Sequence, residues 1–184
     1  MPQTTDNLAT DILKYWFEEL PPEKHFTKDE KVDDEIRRRF GDLHTDLSRE
    51  IPADWRATRH RRLAAIILLD QFSRNLYRGD RRAFAQDAVA LDLANQAIAS
   101  GDLDHVPGPR GAYIVMPLMH AENVTDVRRS ITLLQRIGQH ENARYGRLHL
   151  YVIERFGRYP GRNGALGRAN TPAEEAYLAA GGGF

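Results

Sequence analysis

The chain has 184 residues, 41% hydrophobic and 28% charged, with 26 Lys+Arg against 26 Asp+Glu and a formal net charge of +0. That length and composition suit a single globular domain over residues 1–184 and exclude a largely disordered chain. Zero net charge argues against a general polyanion binder, so nucleic acid is not an expected partner, and a chain without cysteine has no disulfides, thiolate metal sites or cysteine nucleophiles.

Helix signals recur along the whole chain and strand signals are nearly absent. Asp6 is placed to cap a first helix whose apolar positions Leu8, Ile12, Leu13, Trp16, Phe17 and Leu20 follow a helical period, and Pro21 and Pro22 end it. Trp16 and Phe17 are expected in the core and Tyr15 partly exposed. Thr27 and Glu30 have capping-box spacing ahead of a second helix carrying Val32, Ile36, Phe40, Leu43 and Leu47, stopped before Pro52. Residues 63–69 are apolar on every side, as in a fully buried helix, and this helix continues to Tyr77 with Gly79 as its left-handed cap. Asp80 is expected to cap the next one, with Phe84, Ala88, Leu91, Ala94 and Ile98 inward and Gly101 closing it.

Residues 105–110 contain two prolines and read as a loop before a short helix from Gly111 to Ala121. A helix from Asn123 to Ile137 follows, with Val127, Ile131 and Leu134 inward and Gly138 as its stop. The next runs from His140 to Phe156, with Tyr145, Leu148, Val152 and Phe156 inward. Residues 158–170 form the one long irregular stretch. Thr171, Pro172 and Glu174 then supply a cap, an N1 proline and an N3 carboxylate. This amounts to about eight helices, most of them antiparallel neighbours across short loops. The longest apolar run is far shorter than the roughly 20 residues of a membrane span, and the first residues lack signal-peptide character. The expectation is a cytoplasmic protein with no membrane contact.

Four segments together carry a resemblance: Ile12-Leu13-Lys14-Tyr15-Trp16-Phe17; Leu68-Leu69-Asp70-Gln71-Phe72-Ser73-Arg74-Asn75-Leu76-Tyr77-Arg78-Gly79; Met116-Pro117-Leu118-Met119-His120-Ala121-Glu122; and Phe156-Gly157-Arg158-Tyr159-Pro160-Gly161-Arg162-Asn163, with Leu166-Gly167-Arg168 just beyond. Their order and spacing resemble the uncharacterised bacterial family known as domain of unknown function 924, over almost the whole chain. The resemblance implies an all-α, tetratricopeptide-repeat-like superhelical or orthogonal bundle, and it implies no activity. The chain departs from the family pattern, which has proline at Ser73, serine at Ala121 and histidine at Gly161, so no imidazole is available at 161.

The residues offer several candidate sites, each with a competing structural reading. Asp70 and Arg74 stand four apart on the most apolar helix, in the favourable acid-before-base order. They are either a carboxylate orienting Arg74 toward a ligand anion or an ion pair that fixes helix register. His120, Glu122 and His149 bring two imidazoles and a carboxylate, but without metal-ligand spacing or a Glu-x-x-His motif. No metal or cofactor is expected, and His149 falls on an apolar stripe, where a histidine is usually hydrogen-bonded core. Ser73 has no histidine placed for it by local sequence, which argues against a serine hydrolase.

Residues 155–168 hold Arg155, Arg158, Arg162 and Arg168 among four glycines and no acid. That composition suits either an anion-binding loop or an arginine clamp on the last helix. The leading expectation is an anion pocket in which Arg74, Arg158, Arg162 and Arg168 meet a phosphate- or carboxylate-bearing ligand. Asp70 orients Arg74, Asn75 and Asn163 add neutral hydrogen bonds, and His149 and His120 lie beside it. The alternatives are a protein-interaction module with an apolar groove and an enzyme using His120 and Glu122 as an acid–base pair. Oligomeric state is not readable from the sequence.

Overall fold

The first helix starts where a hydroxyl is free to cap it: Thr4 accepts a hydrogen bond from the Asn7 amide, and α1 runs Thr5–Lys14 with Asp6 in its first turn rather than at the cap. The computed structural model describes residues 4–106 and 108–184. The helix then continues as a π-helical turn, Tyr15–Glu19. The wider turn rotates the aromatic trio, so that Tyr15 and Trp16 are buried while Phe17 is only partly so, against the expectation for Tyr15. Pro21 and Pro22, which have no amide hydrogen to extend the ladder, follow directly.

Helix α2 (Glu30–Arg49) is capped by Asp29, whose carboxylate accepts from the Lys31 and Val32 amides. Thr27 instead bonds the Lys24 carbonyl, so the expected capping box does not form. A carboxylate outcompetes a hydroxyl at this position because it also meets the positive end of the helix dipole. Val32, Ile36, Phe40 and Leu47 are buried as the spacing requires, and the polar Asp33 and His44 are buried with them.

Helix α3 (Arg59–Ile66) runs without a break through a π-helical segment, Ile67–Phe72, into α4 (Ser73–Leu76). Residues 64–69 are at most 1% exposed, so this rod is the centre of the molecule. It packs against α1, α2, α5 (Asp87–Ala99) and α6 (Gly108–His120). Gly79, at φ +75°, ends the rod as expected. Asp80 caps only a 3-10 turn, Arg81–Phe84, and α5 begins afresh at Asp87. That break shifts the buried face of α5 to Ala90, Leu93, Ala94 and Ala97, and leaves Ala88 exposed.

Helix α6 starts earlier than expected. Pro109 sits in its first turn, where no amide hydrogen is required; Pro107 of the expected loop lies outside the described residues. Helices α7 (Val124–Arg136) and α8 (His140–Phe156) have the expected bounds and pack as a hairpin. Their contact uses small residues, and α8 buries Ala143, Gly146, His149, Val152 and Ile153. The large apolar residues expected inside, Tyr145 and Leu148, are exposed. The last stretch folds as a 3-10 turn (Pro160–Arg162), α9 (Asn163–Leu166) and α10 (Pro172–Ala179), the last with the expected Thr171–Glu174 capping box fully formed. The fold is all-α, with no strand among the described residues.

A methyl group at Gly146 would stand 2.9 Å from Ile131 Cγ1, so α7 and α8 meet there at backbone distance. Gly146→Ala is expected to lower stability by about 1–3 kcal/mol, the usual cost of overpacking, and urea denaturation measures it; an unchanged midpoint would show that the hairpin can open without cost.

Candidate functional site

The apolar rod carries one charge into the core. Asp70 is 0% exposed. Its Oδ1 accepts from His120 Nδ1 at 2.8 Å and forms an ion pair with Arg74 Nη1 at 3.1 Å, and its Oδ2 accepts from Gln71 Nε2 at 2.5 Å. Burial by itself would raise this carboxyl. The positive charge of Arg74, the His120 imidazole and the hydrogen bonds from His120 and Gln71 outweigh it and hold Asp70 below the usual carboxylate range. Arg74 also donates to the Asp70 carbonyl, and its Nη2 reaches Asp87 Oδ1 at 3.1 Å.

Asp87, at the start of α5, joins this group to the C-terminal loop. Arg162 Nη1 donates to Asp87 Oδ2 at 2.9 Å, and Arg162 Nη2 donates to the His120 carbonyl at 2.9 Å. The Phe84 ring lies 5.7 Å from the Arg74 guanidinium carbon and 4.7 Å from that of Arg162, and the Tyr159 ring lies 4.8 Å from the latter. Two guanidiniums thus face two carboxylates, and the cluster carries no surplus positive charge.

On the other side of His120 a cavity of about 330 Å³ opens between α6 and α8, lined by Phe26, Met116, Met119, His120, Asn142, Tyr145, His149 and Phe184. The His120 and His149 rings are 6.3 Å apart. His149 Nδ1 lies 2.9 Å from the Tyr145 carbonyl, and burial pushes its pKa down to about 4. A carbonyl only accepts, so the neutral ring carries its hydrogen on Nδ1 and presents a lone pair at Nε2. His120 is oriented in the same sense, with Nδ1 on a carboxylate. No described residue bonds Nε2 of either ring. Neither atom is sealed: among the described residues the one buried side-chain nitrogen or oxygen without a partner is Trp16 Nε1.

The far wall is Phe184, whose ring centroid is 3.9 Å from that of His149. Its main-chain oxygen accepts from the Gly161 amide at 2.7 Å, and a Cβ at Gly161 would come within 2.9 Å of that tail backbone.

Of the residues singled out from sequence, Asp70, Arg74, His120, His149 and Arg162 come together here. The others do not. Asn75 donates to Asp33 at 2.8 Å on the α2 side. Arg158 forms a two-pronged pair with Glu174 at 2.7 and 2.8 Å, and Arg168 forms one with Glu122 at 2.7 and 2.9 Å. Asn163 bonds Asn170 and Arg168, and Arg155 reaches the Tyr151 hydroxyl. Glu122 also accepts from the Tyr159 amide at 2.8 Å, so it serves the loop, and the carboxylate beside His120 is Asp70. No group of three or more metal-ligating side chains forms among the described residues.

Ser73 does have a histidine, His44, with Nε2 2.7 Å from its Oγ. The Ser73 hydroxyl, however, donates to the Leu69 carbonyl, so the imidazole N–H donates to the serine, the reverse of nucleophile activation. Asp87, Gln71 and His44 were not visible from sequence as site residues; each meets its partner through the fold and not through local spacing.

Burial also pushes His44 down to about 4. An unfolded histidine titrates near 6.5. Between pH 6.5 and 4 the unfolded chain therefore binds more protons than the folded one, and stability falls as pH falls through that window. Urea unfolding at pH 7 and pH 5 should differ by about 2 kcal/mol for each of the two histidines, and His149→Phe should remove its share; equal stability at both pH values would contradict the burial of neutral imidazoles.

The profile of a family described as bacterial protein of unknown function, DUF924, matches residues 12–182. A solved structure of a protein of unknown function from Agrobacterium tumefaciens is similar, with a TM-score of 0.89 and 35% sequence identity, over 95% of this chain and 98% of that one. No curated protein matches.

Proposed function

This chain belongs to the bacterial family DUF924, and we propose that the cavity between α6 and α8 is its ligand site, with His120 as the proton-accepting group and Asp70 as the residue that positions it. The observation that carries this reading is the Asp70 Oδ1–His120 Nδ1 hydrogen bond of 2.8 Å at the wall of that cavity. A carboxylate on one imidazole nitrogen fixes the tautomer and holds the ring in place, so that the other nitrogen is the one left to exchange a proton with a ligand. The cavity is within the size range of small-molecule sites and has the usual make-up, apolar walls with a few convergent polar groups. Acid–base chemistry on a small organic molecule is the reaction class this arrangement supports. No helix among the described residues is long and apolar enough to cross a membrane. A cytoplasmic setting is part of the reading, since a cysteine-free composition fits a reducing compartment.

A second reading has its own observation. Tyr145, Leu148 and Tyr151 stand exposed along one side of α8, an apolar strip suited to a protein partner. If the partner is a second copy, sedimentation will show concentration-dependent association that Tyr151→Asp abolishes; a monomer at every concentration removes that version.

The leading reading is tested with diethyl pyrocarbonate, which acylates unprotonated imidazole nitrogens. Peptide mapping should find His120 labelled alongside the exposed His105, and labelling of His120 alone should slow several-fold in Asp70→Asn. An unlabelled His120, or one whose rate ignores residue 70, would contradict it.

A further inference from the structure

We infer that the ligand of this cavity is an uncharged molecule with an apolar, ring-sized body and a hydroxyl group that donates its hydrogen to the facing histidines. This rests on the cavity being the ligand site, as proposed above, and adds the chemical class of what enters it.

The polar atoms on the wall point to a donor. His149 Nδ1 is tied to the Tyr145 carbonyl, which leaves an acceptor at Nε2. His120 Nδ1 is tied to Asp70, which leaves Nε2 as its unbonded ring nitrogen. Asn142 Nδ2 donates one hydrogen to Gln139 Oε1 at 3.2 Å and keeps a second, while its carbonyl oxygen accepts nothing from the described residues. Tyr145 supplies the one hydroxyl on the wall and takes either role. A ligand that brings only acceptors leaves these lone pairs unpaired in a half-closed space; one with an O–H satisfies them.

Charge points the same way. An anion would need surplus positive charge, but Arg74 and Arg162 face Asp70 and Asp87, and neither guanidinium lines the cavity. A carboxylate-bearing ligand would meet the His149 lone pair instead of a donor. The remaining wall is Phe26, Met116, Met119 and Phe184, aromatic rings and thioethers that adapt to a flat ring. At about 30 Å³ for each water-sized group, the volume holds roughly ten such groups, the size of a substituted six-membered ring.

Three probes of one shape separate the alternatives: benzyl alcohol, toluene and benzoate, titrated by NMR against the His120, His149 and Met119 side-chain resonances. Benzyl alcohol should bind at least about fivefold more tightly than toluene or benzoate, the worth of one satisfied hydrogen bond. In His149→Phe, which keeps a ring against Phe184, that preference over toluene should shrink. Benzoate binding tightest would overturn the inference in favour of an anion site, and toluene equalling benzyl alcohol would overturn it in favour of a purely apolar cavity; in both cases the cavity stands as a ligand site. Silence from all three would overturn the ligand-site reading itself, together with this inference.

Discussion

One carboxylate with no water on it organises this molecule. Asp70 sits in the middle of a rod whose preceding residues are apolar on all sides, and a bare charge there would be prohibitively costly. It is tolerated because three other parts of the chain come to it: Arg74 from the next turn, Gln71 beside it and His120 from the end of α6. Arg74 in turn draws in Asp87 from α5, and Asp87 draws in Arg162 from the C-terminal loop. The burial of a single charge thereby ties four segments together, and removing one member would leave its partner uncompensated, which is more damaging than never having had the pair. The π-helical turn at Ile67–Phe72 belongs to the same arrangement: it widens the helix where Asp70 leaves it, and such turns are common at functional positions.

The site follows from that constraint. Once His120 is fixed through Nδ1, its other edge faces the gap between α6 and α8. His149 reaches the same gap because α7 and α8 approach closely at Gly146 and turn the small-residue face of α8 inward. The arginines of the last loop act as clamps, with Arg158 on Glu174 and Arg168 on Glu122, and they hold the segment from which Gly161 grips the Phe184 tail. The loop's role at the cavity is therefore to place its far wall.

What was legible in the sequence was short-range. The Thr171–Glu174 capping box, the bounds of α7 and α8, the buried rod at 63–69 and the stop at Gly79 each depend on residues within a few positions of one another, and each formed as expected. Large apolar residues do not mark the inside of α8, because its close helix contact is built from Ala143 and Gly146 and leaves Tyr145 and Leu148 outside. The arginine segment looked uncompensated because it contains no acid; its carboxylates, Asp87, Glu122 and Glu174, all come from outside it. Asp70 and His120 were both singled out, but as members of different pairs, since no local pattern joins residues fifty positions apart. The resemblance to a family of unknown function agrees with the all-α class read from the helix periodicity and implies nothing about the site.

The proposed site depends on which nitrogens of two imidazoles carry hydrogen, and nitrogen-15 NMR of the histidine rings reads this directly. At neutral pH both His120 and His149 should carry hydrogen on Nδ1, with His149 showing an unprotonated Nε2 and the His120 Nδ1 proton coupled across its hydrogen bond to Asp70. Finding hydrogen on Nε2 of His149 with Nδ1 bare, or a His120 proton that does not respond to Asp70→Asn, would contradict the proposed wall of lone pairs and the role given to the buried carboxylate.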